Sequence, residues 1–404
     1  MEYNYLSKTH GIGGKMKQKP EDFVVEEIMQ DGTVLEINKK VERAGEEGKF
    51  THFVLQKTDW STAGALERIA RKIRTSQRRF NFAGTKDKQA LTTQLVSCFG
   101  KWPRDFENLM LKDIDILGAW EAKDKVRLGE LLGNRFTIRV DGCNEDSESV
   151  VAKIYSELGG KFPNYFGEQR FGTTRKNTHI IGEKLLRGQL EDAALSFLCD
   201  TEGEEHEAAS NARKELLETR DFNIALKNFP RHLRLERSMI ARLATDPTDF
   251  ANAFRKLPRN ILLLFVHAFQ SHLFNTMLSE RIAEGGLEKE DGEYFCGEAH
   301  GFPDIEQKQE QENSIWLVGR IVGYETVLNK REKELLERFG MDQEVFRMKT
   351  MPEINTKGTY RTLMAPLADF KFASDIFNFS LPSGCYATTA LREFLDTKPA
   401  SLGY

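Results

Sequence analysis

The sequence predicts an α+β protein whose strands gather at the two ends of the chain and whose middle is helical. Apolar runs of strand length occupy 23–28 and 50–56, and strict alternation returns with Phe377, Phe379 and Leu381. Helical periodicity separated by polar connections dominates from 189 to 339. The 404 residues exceed what a single hydrophobic core usually organises, so two domains are expected.

The residues up to Lys19 are polar, with glycines at 11, 13 and 14, and read as a loose lead into the first strand, whose first core residue is Phe23. A charged loop, 39–48, precedes the second strand. A helix starts near Ser61, where Leu66, Ile69, Ala70 and Ile73 recur at helical spacing; this gives it one core face and turns its arginines outward. Phe80 and Phe82, then Leu91, Leu95 and Val96, read as two strands gripping a loop. A second hairpin-like region follows with LLGNRFTIRV (131–140), in which Asn134 serves a turn and Phe136 a half-buried strand. Val150, Val151, Ile154 and Leu158 mark an amphipathic helix over 149–158, with Gly159 as its C-cap.

From about 161 the character changes. NYFGEQRFG (164–172) combines glycines, an arginine and three aromatics, which suits base stacking and phosphate contact if it lines a cleft, and equally suits a joint packing its own aromatics. Helices are expected at 189–198, 206–218, 235–243, 260–284 and 325–339, with 303–313 as a loop. In HAFQSHLFN (267–275) most apolar residues read as core, and Gln270, Ser271 and Asn275 as buried hydrogen-bonding groups. After the last strand, Pro382, Ser383 and Gly384 form a turn and Thr388 or Thr389 caps a final helix.

The formal charge of −4 and pI near 6.2 argue against a nucleic-acid partner unless positive charge is concentrated locally. It is concentrated: Arg68, Arg71, Lys72, Arg74, Arg78 and Arg79 lie together, while Glu202, Glu204, Glu205 and Glu207 gather elsewhere. The same arginines also fit an ordinary solvated helix face. Five scattered cysteines with no C-x-x-C pair indicate neither a disulfide framework nor a zinc knuckle, and fit a reducing cytosol. The eight histidines show no metal-ligand spacing, so no metal is expected. The longest apolar run, 261–266, is too short to span a bilayer and the first fourteen residues are polar, so a cytoplasmic protein without a membrane partner is expected.

The densest chemistry lies in NFAGTKDKQALTTQ (81–94), where Asp87 sits between Lys86 and Lys88 in a turn led by Gly84. Glycine permits a tight, presented loop, and the flanking lysines offset the carboxylate's charge, which suits a nucleophile beside a phosphate-bearing substrate. A solvated hairpin tip has the same pattern. A P-type ATPase site would place Asp before Lys-Thr-Gly and needs membrane helices, and a Walker loop needs Gly-Lys-Ser/Thr where this chain has Gly100, Lys101 and Trp102.

GTKDKQALTTQ resembles the catalytic motif of the TruD family of tRNA pseudouridine synthases. PEDFVVEE (20–27), NYFGEQRFG, HAFQSHLFN and LPSGCYATTALRE (381–393) resemble further segments of that family in the same order. The resemblance implies a pseudouridine-synthase fold with a mixed, largely antiparallel sheet, interrupted by an inserted, mainly helical TRUD domain. The expected boundaries are 1–160 and 363–404 for the catalytic domain and 161–362 for the insertion. It implies isomerisation of uridine to pseudouridine in tRNA, usually at position 13, with Asp87 catalytic. Phe23, Asn134, Phe136, Tyr386, Lys17 and Lys86 are the implied substrate-site residues. The family usually carries Phe where this chain has Tyr386, whose added hydroxyl implies either that a polar contact is tolerated or that the stacking role is shared differently.

The reaction is redox-neutral and the base stays in the pocket, so no cofactor is implied, and tRNA is the only partner implied. Asp87 would attack the sugar C1′ or the base C6, or assist a glycal route. A rival from another class is a non-catalytic RNA-binding or RNA-folding protein that keeps the fold; it predicts loss of the aspartate or its turn, and both are present. A metal-dependent nuclease would need paired carboxylates near Asp87, and Asp105 and Glu107 lie in no matching motif. RNA is expected in a cleft between the domains, with Arg71, Arg74, Arg170 and Lys176 contacting phosphates.

Overall fold

The computed structural model describes residues 3–107, 109–144, 146–306 and 314–395; positions 307–313 of the expected 303–313 loop lie outside the described residues. The chain forms two units. Among the described residues, the sheet unit comprises Leu6–Asn164, Glu298–Asp304 and 364–395, and the helical unit comprises 3–5, Tyr165–Gly297 and Ile305–Leu363. The main run of the helical unit begins at Tyr165, four residues beyond the expected 161, because the strand Lys161–Pro163 pairs with Met364–Pro366 in the sheet unit.

The sheet unit is built on a mixed sheet. Its strands are β1 (Lys15–Met16), β2 (Phe23–Ile28), β3 (Phe50–Thr58), β4 (Phe80–Phe82), β5 (Leu91–Phe99), β6 (Ile114–Ala122) and β7 (Gly133–Asp141), followed by the C-terminal strands Ala368–Ala373 and Ile376–Pro382. The order runs Ala368–Ala373, Ile376–Pro382, β7, β2, β5, β3, β6, with β1 added to β7 and β4 to β5. Only the β2–β5 pairing is parallel; the others are antiparallel. The region expected as a second hairpin is not one: β6 pairs with β3, while β7 pairs with β2 and the C-terminal strand. The inward side chains of β7, Phe136 and Ile138, find their apolar partners there, in Val25, Phe23, Phe379 and Phe377.

Three helices cover one face of this sheet. Helix α1 (Thr62–Lys72) starts at Ser61, whose side chain accepts the Gly64 N–H; it buries Ala65, Leu66, Ile69 and Ala70 against Phe53, Leu55, Val96 and Cys98. Helix α2 (Ser147–Leu158) ends at Gly159, left-handed at φ 60°. Together with the helix Ala387–Leu395 it packs over Phe23, Val25, Phe136 and Ile138. That last helix starts ahead of the expected threonine caps, and Thr389 donates from within it to the Tyr386 carbonyl. Residues 6–12, expected to be loose, are tied down: Glu393 accepts from the N–H groups of Leu6 and Ser7, Glu157 from those of Lys8 and Thr9, and Ile12 is fully buried.

The helical unit contains each expected helix, with shifted ends. The helix expected over 325–339 shortens to Lys330–Arg338, because Asn329 and Glu332 form a capping box. It also contains α3 (Thr178–Leu186), which the periodicity did not reveal, and a small antiparallel sheet of Tyr294–Cys296, Trp316–Ile321 and Thr359–Thr362. The helix Arg259–Ala283 is long and apolar enough by length and composition to cross a membrane, well beyond the short apolar run noted in the sequence, but most of that stretch is buried inside the unit. Its Gln270, Ser271 and Asn275 are buried and hydrogen-bonded, to the Val322, His267 and Phe166 backbones respectively.

Helix α3 crosses that long helix at Gly182, where a Cβ would lie 2.0 Å from the carbonyl oxygen of Phe265. Gly182→Ala should therefore force the two helices apart and destabilise the protein by about 1 to 3 kcal/mol, read from denaturant unfolding. An unchanged midpoint would show that this contact is not tight.

Candidate active site

Two strands share one edge of β5. β2 pairs with its start, Val24 to Leu91 through Glu26 to Thr93, and β4 pairs with its end, Phe82 to Val96 through Phe80 to Cys98. Leu95 falls in the gap, and its N–H is accepted instead by Glu27 Oε1 at 2.9 Å. The other oxygen of this buried carboxylate accepts from Lys86 Nζ at 2.5 Å.

The loop 83–90 joins β4 to β5 and is held at successive points. Gln94 Nε2 donates to the Gly84 carbonyl at 3.0 Å. Thr62, the first residue of α1, accepts the Lys86 N–H at 3.0 Å and donates its own hydroxyl to Gln94 Oε1 at 2.9 Å. Lys57 Nζ donates to the Asp87 carbonyl at 2.7 Å. Lys17 Nζ pairs with Asp87 Oδ2 at 3.1 Å. The Asp87 side chain stays 32% exposed, so the carboxylate is fixed and still reachable.

Lys17 reaches Asp87 from just beyond β1, in a left-handed conformation at φ 59°, which costs a non-glycine residue about 1 to 2 kcal/mol. Its ammonium lies 4.1 Å from the centre of the Phe23 ring, and this cation–π contact and the ion pair offset that cost.

Cross-strand partners share a sheet face. By register, Asn134 of β7 stands beside Glu27 of β2, Thr92 of β5 beside Val25 of β2 and Lys57 of β3, and Gln94 beside Leu55. A row of polar side chains therefore crosses this face between the two apolar clusters under α1 and under α2. Thr92 Oγ1 and Asn134 Oδ1 are buried and have no hydrogen-bond partner among the described residues. Such atoms are costly to leave unpaired and are candidate ligand contacts.

Several sequence-derived site residues converge here, although not all as expected. Lys86 does not flank the Asp87 carboxylate; it is buried and turned to Glu27, and Lys17 supplies the facing charge. Gly84 is not left-handed, and a Cβ there would meet nothing within 4 Å, so the turn itself does not demand glycine. Phe136 is stacked on Phe379 at 5.4 Å and lies edge-on to Phe23 at 6.2 Å, both deep in the core cluster. Tyr386 is half-buried just before the final helix. Arg71 and Arg74 are exposed at the end of α1, Arg71 paired with Glu67.

Arg170 and Lys176 lie in the helical unit. Lys176 pairs with Glu168, and the Arg170 guanidinium lies 5.4 Å from the Phe166 ring centre with its Nε buried and unpartnered among the described residues. Asn275 clasps both the N–H and the carbonyl of Phe166, so NYFGEQRFG and HAFQSHLFN are one packed assembly. In the same assembly the His179 and His272 rings lie 4.9 Å apart; burial pushes His179 down to about 4 and lowers His272 as well. Among the described residues, no three His, Cys, Asp or Glu side chains gather to hold a metal.

Sequence reasoning assigned no role to Glu27, Lys57, Thr62 or Gln94. For Glu27, Lys57 and Gln94 the available signal was a charged or amide side chain inside a strand run, at positions where alternation calls for core; Thr62, at the start of α1, carried no such signal.

Burial pushes the Lys57 ammonium down to about 8; Asp87 opposes this and Lys86 adds to it. Because the folded value lies below the ordinary lysine value, the unfolded chain holds this proton between about pH 8 and 10.5 while the folded protein does not. Stability contributed by this group therefore rises through that window, and below it the cost of burying the cation is fully present. Unfolding of wild type and Lys57→Met compared from pH 7 to 10.5 should shift in favour of wild type by up to about 3 kcal/mol as pH rises. A pH-independent difference would show that Lys57 titrates normally.

The family model described as tRNA pseudouridine synthase D (TruD) matches residues 1–394. The "Probable tRNA pseudouridine synthase D" of Methanosarcina mazei is 34% identical to this chain, over 98% of this chain and 97% of its own length. The protein of the same name from Thermoplasma acidophilum is 36% identical over 95% and 93%. The crystal structure of a Methanosarcina mazei protein described as TruD superposes with a TM-score of 0.77 at 32% identity, covering 98% of this chain and 97% of that one. The chain therefore belongs to the TruD family of tRNA pseudouridine synthases, isomerases that convert uridine in tRNA to pseudouridine.

Proposed function

We propose that Asp87 is the carboxylate that acts on the target uridine, and that the target is position 13 of tRNA. The observation that carries the first part is the fixation of Asp87 from both sides, its carboxylate by Lys17 and its carbonyl by Lys57, in a loop that leaves the carboxylate accessible. A protein group that must meet a reacting atom gains most from being held before the substrate arrives.

The isomerisation breaks the bond between C1′ and N1, turns the uracil within the site and joins C5 to C1′. The C5 proton leaves and N1 gains one, so the change is balanced without an oxidant or reductant. Attack on C1′, addition to C6 and a glycal route all place a carboxylate oxygen against the target nucleotide. In folded RNA that nucleotide must first leave its stack, at a cost of a few kcal/mol.

Contacts inside the site offset that cost. Asn134 Oδ1, buried and without a hydrogen-bond partner among the described residues, is an acceptor suited to the uracil N3–H or a ribose hydroxyl. Half-buried Tyr386 offers a ring and a hydroxyl, while Phe136 has one face already covered by Phe379 and backs the base with what remains. Phe23 orients Lys17 and through it Asp87. Arg71 and Arg74, and in the helical unit Arg170 and Lys176, are the proposed phosphate contacts, which would hold RNA without reading its sequence. A cytoplasmic setting is part of this reading and is supported by five free thiols.

Unmodified tRNA transcripts carrying uridine or cytidine at position 13 test both parts when pseudouridine is mapped along the chain. Wild type should form one pseudouridine, at position 13, and none in the cytidine transcript. Asp87→Asn should form none while binding tRNA within a few-fold of wild type. Pseudouridine at another position overturns the target assignment, and turnover by a verified Asn variant overturns the role of Asp87.

A further inference from the structure

We infer that Glu27 is a positioning residue for Asp87, acting through Lys86; this rests on the reading of Asp87 as the reacting carboxylate. Glu27 lies on β2, its side chain is 1% exposed, and both of its oxygens are used. One accepts the Leu95 N–H, in the gap on β5 that neither β2 nor β4 covers; the other accepts from Lys86, the residue immediately before Asp87.

Lys86 is thereby anchored twice, by its ammonium on Glu27 and by its N–H on Thr62. The next carbonyl, that of Asp87, is anchored on Lys57. With the chain fixed on both sides of its Cα, Asp87 has little backbone freedom left, and its carboxylate stays on Lys17. Lys86 therefore serves the reaction by being pinned to Glu27 and not by lending charge to its neighbour.

The test separates positioning from stability. Glu27→Gln keeps an acceptor for Leu95 but strands a buried ammonium, so it should lower Tm and reduce kcat by about ten-fold or more, as expected for a displaced reacting group. The double variant Glu27→Gln/Lys86→Met removes both charges and should recover most of the Tm. Its kcat should remain at least about ten-fold down, with tRNA Kd within about two-fold of wild type. Recovery of both Tm and kcat in the double variant, or full kcat in Glu27→Gln, overturns the inference. If the single variant does not fold, the double variant decides in the same way. Asp87→Asn is assayed beside them: if it is active, the reading of Asp87 has failed, and if it is inactive while the double variant has wild-type kcat, only the role of Glu27 has failed.

Discussion

One edge of β5 accepts two partners of opposite direction, β2 in parallel and β4 antiparallel, and the site depends on that arrangement. A strand cannot pair with both at the changeover, so one backbone N–H, that of Leu95, is left for a side chain. Glu27 fills the gap, and because it is buried it needs a cation, which Lys86 supplies. The loop between β4 and β5 leaves the sheet at the place where ordinary ladder pairing is interrupted. Thr62 at the start of α1 and Gln94 on β5 fasten the same loop, so the helix, the sheet and the loop share one hydrogen-bonded assembly.

The electrostatic design follows from burial. Lys57 and Lys86 are buried, and so is the side chain of Lys17, around Asp87 and Glu27. Desolvating each ion costs several kcal/mol, and a sheet face selected for stability alone would carry apolar side chains here, as it does on both flanks. The row of polar groups instead keeps one partly exposed carboxylate fixed beside buried ammonium groups, where its interactions with them are stronger than in bulk water. The low value of Lys57 is the cost of that placement made visible.

Much of the fold was legible in the sequence, because it rests on local periodicity. The strands at 23–28 and 50–56, the alternation of Phe377, Phe379 and Leu381, the α1 face of Leu66, Ile69 and Ala70, and the Gly159 cap were all read from local pattern. The pairing of β7 was not legible, since a strand's partner depends on distant sequence. Asp87 stood out because a chemical motif is contiguous, and Lys17 could be named only through the family resemblance. Glu27, Lys57, Thr62 and Gln94 come from four separate elements, and their common purpose exists only once the sheet is assembled. The reading of Lys86 as a flank to Asp87 failed for the same reason: neighbours in sequence point in different directions, and a buried glutamate on another strand captured the lysine.

On the proposed role of Asp87, its position, set by this assembly, makes it effective, and not merely the presence of negative charge. Asp87→Glu keeps the charge and moves the oxygens by about one methylene, on the order of 1.5 Å. The most direct measurement is the release of tritium to water from tRNA labelled at uridine C5, followed in single turnover with enzyme in excess. Asp87→Glu should lose about a hundred-fold or more in rate while tRNA affinity is maintained. Release by the Glu variant at the wild-type rate would contradict it.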